Sequence, residues 1–419
     1  MQTIHITGGR PLSGTLRPAC AKNSVLPLLA ASLLCHAPCA FTHVPRLSDV
    51  DTSLTLLRAV GAGAMRQGTT ITTWPVPDCT LTGAVPSAQA GAMRSSVFYL
   101  APLLCRCGTV RLPLPGGCRL GPRPVDIHLA GLTAMGAQVE LSADAIRITR
   151  NGWLHGTDFT LRLPSVGATL TLLMAATQAA GDTVLRGAAC EPEIVDMARF
   201  LQACGASVTG AGTPVITVRG GRELSGGVFA PVPDRIAAAT YAAAAACAGG
   251  SVTVEHCPPA LLDSFLVFLE RAGCEIQRGR TRFTVTRQGR LRGGQELVTG
   301  GWPAFATDTA PLAAAVLLTA AGESSIRDTL FQSRFACAGG FAALGADTEV
   351  GEGGRCLTVR GVEALHGARL HAPDLRGGAA LLLAALCAEG ESLLYDAGHI
   401  SRGYEDLPRD LSRLGALCR

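Results

Sequence analysis

Leu57-Arg-Ala-Val-Gly61-Ala62 is the stretch that decides the fold, because its pattern of a helical run closed by an apolar residue, glycine and a small residue recurs along the chain. A glycine in this place predicts a left-handed residue directly after the end of a helix. The six glycines lie 75, 69, 68, 72 and 70 residues apart, and an alternating, strand-like segment follows the first five. This period indicates six copies of one supersecondary unit. The copies end at Gly61, Gly136, Gly205, Gly273, Gly345 and Gly415.

A second type of helix is almost wholly apolar and also occurs six times. Its clearest examples are Leu26–Leu34, Leu170–Ala179, Ala237–Ala248 and Ala379–Ala388. A helix of this composition must be buried on nearly all sides. The pattern predicts an α/β fold of two domains with three units each, sheets outside and apolar helices inside. The predicted domains are 21–230, which carries the loop 113–128, and 1–20 plus 231–419, with a glycine- and proline-rich link near 220–232.

Composition excludes several classes of protein. The chain has 419 residues, of which 48% are hydrophobic, and a net charge of +4 without basic clusters. These values predict a globular protein with a large core and no nucleic-acid surface. The longest apolar stretches, 312–321 and 379–388, are too short to cross a bilayer, and the N-terminus predicts a strand in place of a signal peptide. We therefore expect a cytoplasmic protein that does not bind membranes.

Sixteen cysteines are present, most of them within runs rich in alanine and leucine. Cysteines in such runs are expected to behave as small buried hydrophobes. The pairs Cys35/Cys39 and Cys105/Cys107 do not have the spacing of metal sites, so no metal is expected. The cysteines that lie within apolar runs include Cys35, Cys105, Cys247 and Cys387.

The loop 113–128 is rigid by composition and rich in reactive groups. Its prolines and paired glycines exclude a helix or a central strand. Cys118 lies there beside Arg119 and Arg123, and cations of this kind tune the ionisation of a thiol. Asp126 and His128 follow. From the loop alone, a functional segment and a surface turn with an incidental cysteine are equally acceptable interpretations.

The starts of the six apolar helices combine capping residues with cations. Asn, Ser, Thr and Asp are ordinary N-caps. Cations are disfavoured there by the helix dipole, unless the helix ends bind an anion. Lys22 is the only lysine among 36 basic residues, which suggests a need for a compact ammonium group. The pattern predicts a multiply charged anionic ligand between the domains. The six helix starts are Lys22-Asn23, Arg94-Ser95, Ser165-Val166, Asp234-Arg235, Thr307-Asp308 and Asp374 to Arg376.

Two side chains are candidates for proton transfer. Asp308 is a candidate base for a substrate hydroxyl, and Cys118 a candidate acid, since a thiol is only partly ionised at neutral pH. Arg334 and Arg402 lie in loop-like contexts, and the residues alone favour surface salt bridges for both.

At these positions the chain resembles the UDP-N-acetylglucosamine 1-carboxyvinyltransferases, a family of enolpyruvyl transferases, over essentially its whole length. The motifs that carry the resemblance are Ala21-Lys-Asn-Ser24, Pro45 to Asp51, Met93-Arg-Ser-Ser96, Pro115-Gly-Gly-Cys118 to Asp126, Pro164-Ser-Val-Gly-Ala-Thr169, Glu191 to Asp196, Pro233-Asp-Arg-Ile236, Thr307-Asp308, Pro373-Asp-Leu-Arg376 and His399 to Glu405.

The resemblance implies a pair of inside-out α/β barrels, with the N-terminal strand returning to the second domain. It implies transfer of the enolpyruvyl group of phosphoenolpyruvate to the 3-hydroxyl of UDP-N-acetylglucosamine, the first committed step of peptidoglycan precursor synthesis. The mechanism is addition followed by elimination, without a cofactor. Closure of the loop over both ligands is expected to exclude water. We expect a monomer whose only partners are these two substrates.

The resemblance also assigns residues. Cys118 is implied as proton donor and site of a covalent phosphoenolpyruvate adduct, and Asp308 as the group acting on the sugar hydroxyl, with Lys22 and Arg402 also catalytic. The implied phosphoenolpyruvate ligands are Lys22, Asn23, Arg123, Arg376 and Arg402. The implied nucleotide-sugar ligands are Asn23, Arg94, Arg123, Pro124, Val125, Asp126, Ile127, Leu163, Pro164, Ser165, Val166, Asp308 and Leu330. Supporting roles fall to Asp49, Glu191, Glu193, Asp234, Arg235, Arg334 and Asp374.

The chain departs from the family pattern at a few places. Ser48 stands where many members have lysine, Phe98 where some have tryptophan, and Arg162 is a possible substitute for a basic residue near the Ser165 motif. Three alternative functions stay open. The first is that of the sister enzyme acting on shikimate 3-phosphate, although that family lacks the loop thiol. The second is an enolpyruvyl transferase acting on a simpler nucleotide, and the third is a ligand-binding paralogue without catalytic activity.

Overall fold

The structure, a computed structural model, describes residues 3–114 and 125–419. The chain divides into two compact units. Unit A comprises the described residues 20–114 and 125–232, and unit B comprises 3–19 and 233–419. Unit B therefore joins the two ends of the chain, while unit A is formed from the sequence between them.

Thirteen α-helices lie within the described residues. Those of unit A are α1 (Lys22–Ala31), α2 (Ser48–Ala59), α3 (Ser87–Ala92), α4 (Leu100–Cys107), α5 (Asp126–Ala134), α6 (Val166–Thr177) and α7 (Pro192–Ala203). Those of unit B are α8 (Arg235–Ala248), α9 (Asp263–Ala272), α10 (Ala310–Leu317), α11 (Ala338–Ala343), α12 (Leu375–Cys387) and α13 (Leu407–Arg413).

The described residues also form 23 short strands. The first two belong to unit B and are β1 (Ile4–Thr7) and β2 (Leu12–Leu16). Unit A contains β3 (Cys39–Phe41), β4 (Gly63–Gln67), β5 (Thr70–Trp74), β6 (Thr109–Pro113), β7 (Ala137–Leu141), β8 (Ala145–Arg150), β9 (Asp158–Thr160), β10 (Asp182–Arg186), β11 (Ser207–Thr209), β12 (Val215–Arg219) and β13 (Gly227–Phe229). Unit B continues with β14 (Gly250–Glu255), β15 (Glu275–Arg278), β16 (Arg282–Arg287), β17 (Glu296–Val298), β18 (Glu323–Arg327), β19 (Asp347–Gly351), β20 (Cys356–Arg360), β21 (Arg369–His371), β22 (Glu391–Tyr395) and β23 (Leu417–Cys418).

The strands form six small sheets, three in each unit, which confirms the expected mixed α/β class. Five sheets share one pattern, in which an edge strand runs parallel to its neighbour and two antiparallel strands follow. The sixth has three strands, and a parallel bridge between Ala84 and Arg111 stands in place of the fourth. The orders are β13-β3-β5-β4, β6-β8-β7 and β11-β12-β10-β9 in unit A, and β15-β16-β14-β2, β17-β18-β20-β19 and β21-β22-β1-β23 in unit B.

The six glycines singled out in the sequence are left-handed, as predicted, with φ between 89° and 106°. Each follows the end of one amphipathic helix: α2, α5, α7, α9, α11 and α13 in turn. Only a residue without a Cβ adopts this conformation at low cost. The helix therefore ends at a fixed place in every copy, and the following strand starts in the direction the sheet requires.

The apolar helices fill two separate cores, one in each unit. In unit B, α8, α10 and α12 contact one another, and the side chains of α8 from Ile236 to Cys247 are all buried. Alanine dominates these surfaces, so the helix backbones approach closely. One predicted boundary needs correction, since the segment Leu26–Leu34 is α1 up to Ala31 followed by a tighter 3-10 turn at Ser32–Leu34.

The N-terminal strand lies in the sheet formed by the end of the chain. β1 pairs antiparallel with β22, where Ile4 faces Leu394, and with β23, where Ile6 faces Cys418. β2 pairs parallel with β14. The return of the N-terminus to the second half of the chain is as the family resemblance implied.

The helix starts follow the capping interpretation in only half of the cases. Ser165, Asp234 and Asp374 are N-caps that accept hydrogen bonds from backbone amides. Asn23, by contrast, lies inside α1, whose N-cap is Ala21. Ser95 and Asp308 lie inside the 3-10 turns Arg94–Tyr99 and Thr307–Thr309 that precede α4 and α10. The carboxylate of Asp308 is thus not a helix cap.

Within the described residues, none of the helices has the length and apolar character needed to cross a membrane.

The glycine after α2, Gly61, provides a test of the argument that this position requires a residue without a Cβ. A Cβ on Gly61 would lie 2.3 Å from the Thr80 carbonyl oxygen, whereas a Cβ on Gly68, whose φ is also positive at 61°, would meet nothing within 4 Å. We expect Gly61→Ala to lower the free energy of unfolding by ~2–4 kcal/mol and Gly68→Ala by only ~1 kcal/mol, because the left-handed backbone alone costs an alanine about 1–2 kcal/mol. Urea unfolding followed by circular dichroism measures both, and equal losses would contradict the steric argument.

Candidate active site

Asp308 lies between two arginines of unit B. Its Oδ1 is 3.6 Å from a terminal nitrogen of Arg334 and 3.7 Å from Nε of Arg376. The aspartate remains partly exposed, while both arginines are buried. Two cations on one side attract the carboxylate and fix its orientation. The arrangement leaves a positioned, partly accessible proton acceptor.

Arg334 is not the surface residue that its local sequence suggested. Its side chain is 1% exposed, and Nε donates a 3.0 Å hydrogen bond to Thr307 Oγ1 and lies 3.7 Å from Asp328 Oδ2. The guanidinium also packs 4.7 Å from the Phe331 ring centre. The guanidinium can be buried because Asp328, six residues earlier, and Thr307 and Asp308, 27 and 26 residues earlier, contact it.

Asp328 is a functional candidate that the sequence reasoning missed. It is fully buried, its Oδ2 accepts a hydrogen bond from the Thr307 hydroxyl, and its Oδ1 accepts from the Leu330 and Phe331 amides at 2.9 and 2.7 Å. Aspartate that bonds amides two and three residues ahead is a common turn former, so Asp328-Thr-Leu330 was a readable signal. Asp328 thereby fixes the segment that carries Leu330, whose own side chain is exposed.

Arg376 is held from a second side by Tyr404. An Nη1 group of Arg376 donates to the Tyr404 hydroxyl at 3.3 Å, and that hydroxyl also lies 2.7 Å from Thr240 Oγ1 of α8. The backbone amide of Arg376 is bonded to its cap, Asp374, at 2.8 Å. Burial raises the pKa of Tyr404, so the phenol stays protonated. The position of Arg376 beside Asp308 is therefore fixed by backbone and side chain together.

The remaining predicted residues of unit B stand near helix starts. Asp234 caps α8 by accepting from the Ile236 and Ala237 amides at 2.8 and 3.0 Å. Arg235, the first residue of α8, lies 5.4 Å from the Trp302 ring centre. Arg402 ends a 3-10 turn at Ala397–Arg402 and is half-buried.

Lys22 of unit A is paired with Asp49. The ammonium nitrogen lies 3.1 Å from Asp49 Oδ2, and both side chains are largely buried. Lys22 is the first residue of α1 and Asp49 lies in the first turn of α2. A carboxylate at this distance holds the ammonium in one place, and the neighbouring start of α1 adds positive potential.

Acidic side chains of α7 lie next to α1, and one of them forms a hydrogen bond with it. Asp196 Oδ2 accepts a 2.5 Å hydrogen bond from Ser24 Oγ and a 3.0 Å bond from the Val232 amide. Burial raises the pKa of Asp196. Glu193 is buried on the same helix, and Glu191 is its N-cap residue. The helix that starts at Lys22 is thus tied to α7 and to the end of unit A.

A second set of predicted residues meets where α5 and α6 begin. Asp126, the first residue of α5, pairs with Arg162 at 2.5 Å, with both side chains about half exposed. Ser165 caps α6, whose first residue is Val166. Arg162 therefore has a carboxylate partner at the start of α5. Of the other predicted ligands here, Leu163 and Pro164 are exposed, Val125 is half-buried and Ile127 is buried.

His128 joins this set, although the sequence analysis did not assign it to the site. Its ring is buried, and a Cβ on Gly167 would lie 2.8 Å from its Nε2, so the absence of a side chain in the Ser165 motif makes room for it. Burial first, and then the charge of Arg94, lower the pKa of His128 to about 4. The ring is therefore neutral at physiological pH, and it does not place a second positive charge near Arg94.

Four loop residues singled out in the sequence analysis, Cys118, Arg119, Arg123 and Pro124, lie outside the described residues.

Among the described residues, one group of side chains has the composition of a metal site: Cys35, Cys39 and Cys204. The sequence spacing disfavoured Cys35 and Cys39 as ligands, and it gave no sign of Cys204, which lies 169 residues after Cys35. The expected burial holds for Cys35 and Cys247, whereas Cys105 and Cys387 are half-buried.

Comparison with known proteins gives a consistent result. Residues 6–411 match the family model for EPSP synthase (3-phosphoshikimate 1-carboxyvinyltransferase). The chain is 41% identical to UDP-N-acetylglucosamine 1-carboxyvinyltransferase of Nitratidesulfovibrio vulgaris, with 100% of this chain and 99% of the relative aligned. It is also 41% identical to the enzyme of that name from Solidesulfovibrio magneticus, with 99% of each covered.

Solved structures share the fold over the full chain. The enolpyruvyl transferase NikO from Streptomyces tendae superimposes with a TM-score of 0.88 at 26% identity, covering 100% of this chain and 98% of that one. EPSP synthase from Acinetobacter baumannii gives a TM-score of 0.74 at 18% identity, which bears on the fold alone. Together with the full-length relatives, these matches show that the chain belongs to the family of UDP-N-acetylglucosamine 1-carboxyvinyltransferases, within the wider EPSP synthase family.

Proposed function

We propose that the protein transfers the enolpyruvyl group of phosphoenolpyruvate to the 3-hydroxyl of UDP-N-acetylglucosamine and releases phosphate, in peptidoglycan precursor synthesis. The observation that carries the proposal is 41% identity, over the whole chain, to enzymes named for this acceptor. The structural relatives NikO and EPSP synthase stand further away, at 26% and 18% identity.

The reaction is an addition followed by an elimination. A proton is added to C3 of phosphoenolpyruvate, C2 becomes electrophilic, and the sugar hydroxyl forms the new C–O bond as it loses its proton. The tetrahedral intermediate then loses a proton from C3 and breaks its bond to phosphate. The protein must therefore supply one acid, one base and positive charge for the phosphate and carboxylate groups.

We assign the base to Asp308. The carboxylate is partly exposed and is fixed by Arg334 and Arg376 at 3.6 and 3.7 Å. Arg334 and Asp328 support it by holding Thr307, and Tyr404 supports it by holding Arg376. Arg376 and Arg402 would bind phosphoenolpyruvate, Leu330 would contact the acceptor, and the helix caps Asp234 and Asp374 and the neighbouring Arg235 would support the site.

We assign anion binding in unit A to Lys22, positioned by Asp49, with Asn23 on the next position of α1. Arg94 and the starts of α5 and α6 would bind the nucleotide sugar through Val125 to Ile127 and Leu163 to Val166. Amides at helix starts suit phosphate groups. Glu191 and Glu193 are assigned to the support of α1.

The acid is assigned to Cys118, with Arg123 and Pro124 as further ligands carried by the loop 113–128. This assignment rests on the match of the loop motif to the family. The same loop would close over the bound substrates and exclude water.

We further propose that each unit is an inside-out α/β barrel of three repeats, as domains 21–230 and 1–20 plus 231–419. Three sheets and a set of buried apolar helices in each unit support this architecture. We propose a cytoplasmic monomer that needs no metal or organic cofactor for turnover, because the reaction needs only proton transfer and charge stabilisation.

The acceptor is tested by phosphate release. Purified protein is expected to release phosphate with phosphoenolpyruvate and UDP-N-acetylglucosamine, and not with shikimate 3-phosphate or UDP as acceptor. Asp308→Asn should lower kcat by about 100-fold or more, in the usual range for loss of a general base. Turnover with shikimate 3-phosphate alone would reject the proposed acceptor, and an inactive protein with all three would favour the silent paralogue.

The sole lysine is tested by a charge-conserving change. Lys22→Arg should reduce kcat/KM for phosphoenolpyruvate at least about tenfold, since a planar guanidinium does not replace a compact ammonium group held at 3.1 Å from Asp49. Arg111→Lys, which changes an exposed pair with Asp144 in the same unit, is the matched control and should leave activity unchanged. A fully active Lys22→Arg variant would refute the point-charge argument.

The loop thiol is tested by alkylation with fosfomycin. Mass spectrometry is expected to find the adduct on Cys118, since burial raises the pKa of Cys105 and that of Cys257 to about 12 and makes such thiols poor nucleophiles. Cys79 is exposed and serves as an internal control for labelling by exposure alone. Labelling of Cys79 in place of Cys118 would remove the basis for the proposed acid.

A further inference from the structure

Three cysteine thiols converge inside unit A, and none of them belongs to the residues assigned to the proposed site. Cys35 follows the turn after α1, Cys39 begins β3, and Cys204 follows the last residue of α7. Their Sγ atoms all lie within 4.8 Å of one another, and those of Cys35 and Cys204 are 3.8 Å apart. All three side chains are buried, at 1%, 0% and 2% exposure.

The spacing of the sulfurs matches the size of a metal ion. A thiolate–zinc bond is about 2.3 Å long, so three thiolates around one ion have sulfurs about 3.8 Å apart in a tetrahedral arrangement and about 4.0 Å apart in a planar one. The 3.8 Å between Cys35 and Cys204 already has this length, and the other two sulfur pairs, which lie within 4.8 Å, need to approach by about 1 Å at most. We propose that Cys35, Cys39 and Cys204 form a binding site for a thiophilic divalent metal ion.

The chemistry of the pocket decides which ions suit it. Thiolate ligands select soft or borderline ions over magnesium and calcium. Three thiolates carry three negative charges, and their sulfur atoms lie within 4.8 Å of one another in a buried place. A divalent ion leaves one net charge in the apolar core and a monovalent ion leaves two, so the divalent ion costs less. Binding replaces thiol protons by the metal and involves no change of oxidation state.

Neighbouring groups supply the outer contacts that such a site needs. Gly227 and Thr73 lie beside Cys39 on the two neighbouring strands, since β13 pairs with β3 at Gly227–Cys39 and β5 pairs with β3 at Thr73–Cys39. The carbonyl of Cys204 accepts bonds from the Ser225 amide at 2.8 Å and the Ser225 hydroxyl at 3.0 Å. Contacts of this kind orient the ligands of known metal sites. Ser225 and Gly227 are exposed, so solvent reaches the backbone next to the cluster.

The site would join three parts of unit A that are distant in sequence. Its ligands belong to the end of α1, to β3 and to the end of α7. An ion that binds only the folded chain stabilises it in proportion to the logarithm of ion concentration over Kd. The proposed role of the ion is therefore structural, and it is independent of the transferase activity.

Cadmium titration tests the site, because thiolate–cadmium bonds absorb in the ultraviolet. The protein is the full chain with Cys79→Ser and Cys118→Ala, which remove the exposed thiol and the loop thiol. We expect one Cd²⁺ per chain, displaced by Zn²⁺, and at least a 100-fold rise in Kd for each of Cys35→Ala, Cys39→Ala and Cys204→Ala. Cys247→Ala, equally buried but in unit B, is the matched control and should leave Kd unchanged. No saturable binding, or binding that all three changes leave intact, refutes the site.

A second measurement does not depend on the folding of variants. The same protein is alkylated in mild urea with and without Cd²⁺, and the labelled peptides are counted by mass spectrometry. Cd²⁺ should protect Cys35, Cys39 and Cys204 at least tenfold and leave Cys247 and Cys387 unprotected. Equal labelling of the three cysteines with and without the ion overturns the proposal.

Discussion

A helix without a polar face must be covered on every side, and this constraint sets the plan of the chain. The central residues of α1, α6, α8, α10 and α12 are buried throughout, so sheets and amphipathic helices have to surround them. Alanine and glycine let these helices approach closely at little cost in side-chain entropy. Their polar ends are the places where charged groups can reach the interior without crossing an apolar surface. This explains why so many of the candidate residues gather at helix starts.

The charged groups of unit B depend on one another more than on solvent. Arg334 is buried because Asp328, Thr307 and Asp308 surround it, and Asp328 is buried because two amides and a hydroxyl satisfy it. Removal of one member would leave an unpaired charge, which is far more costly than the pair is favourable. Such a network holds Asp308 in place, but the loss of any one of its side chains would destabilise the folded protein.

Periodic features were predictable from the sequence, and long-range partners were not. The six glycines and the apolar helices follow from local composition and were found as expected. Arg334 was expected at the surface because two of its partners, Thr307 and Asp308, are more than 25 residues away in the sequence. The proximity of Cys204 to Cys35 and Cys39 could not be predicted, because residues 169 positions apart show no spacing pattern in the sequence. Asp308 was expected at a helix start and lies instead within a 3-10 turn, because Thr-Asp-Thr before an apolar run is equally typical of a helix cap.

The pairing of both chain ends in one sheet has a consequence for biosynthesis. β1 pairs with β22 and β23, and β2 pairs with β14, so the partners of both strands are synthesised only after unit A. Unit A is encoded between them and has all its strands once residue 232 has emerged. Translation therefore completes the middle of the protein first, while a short N-terminal segment with unpaired strand edges stays exposed. Gly8, Gly9 and the charged Arg10 lie between β1 and β2, and they reduce the surface available for wrong strand pairing.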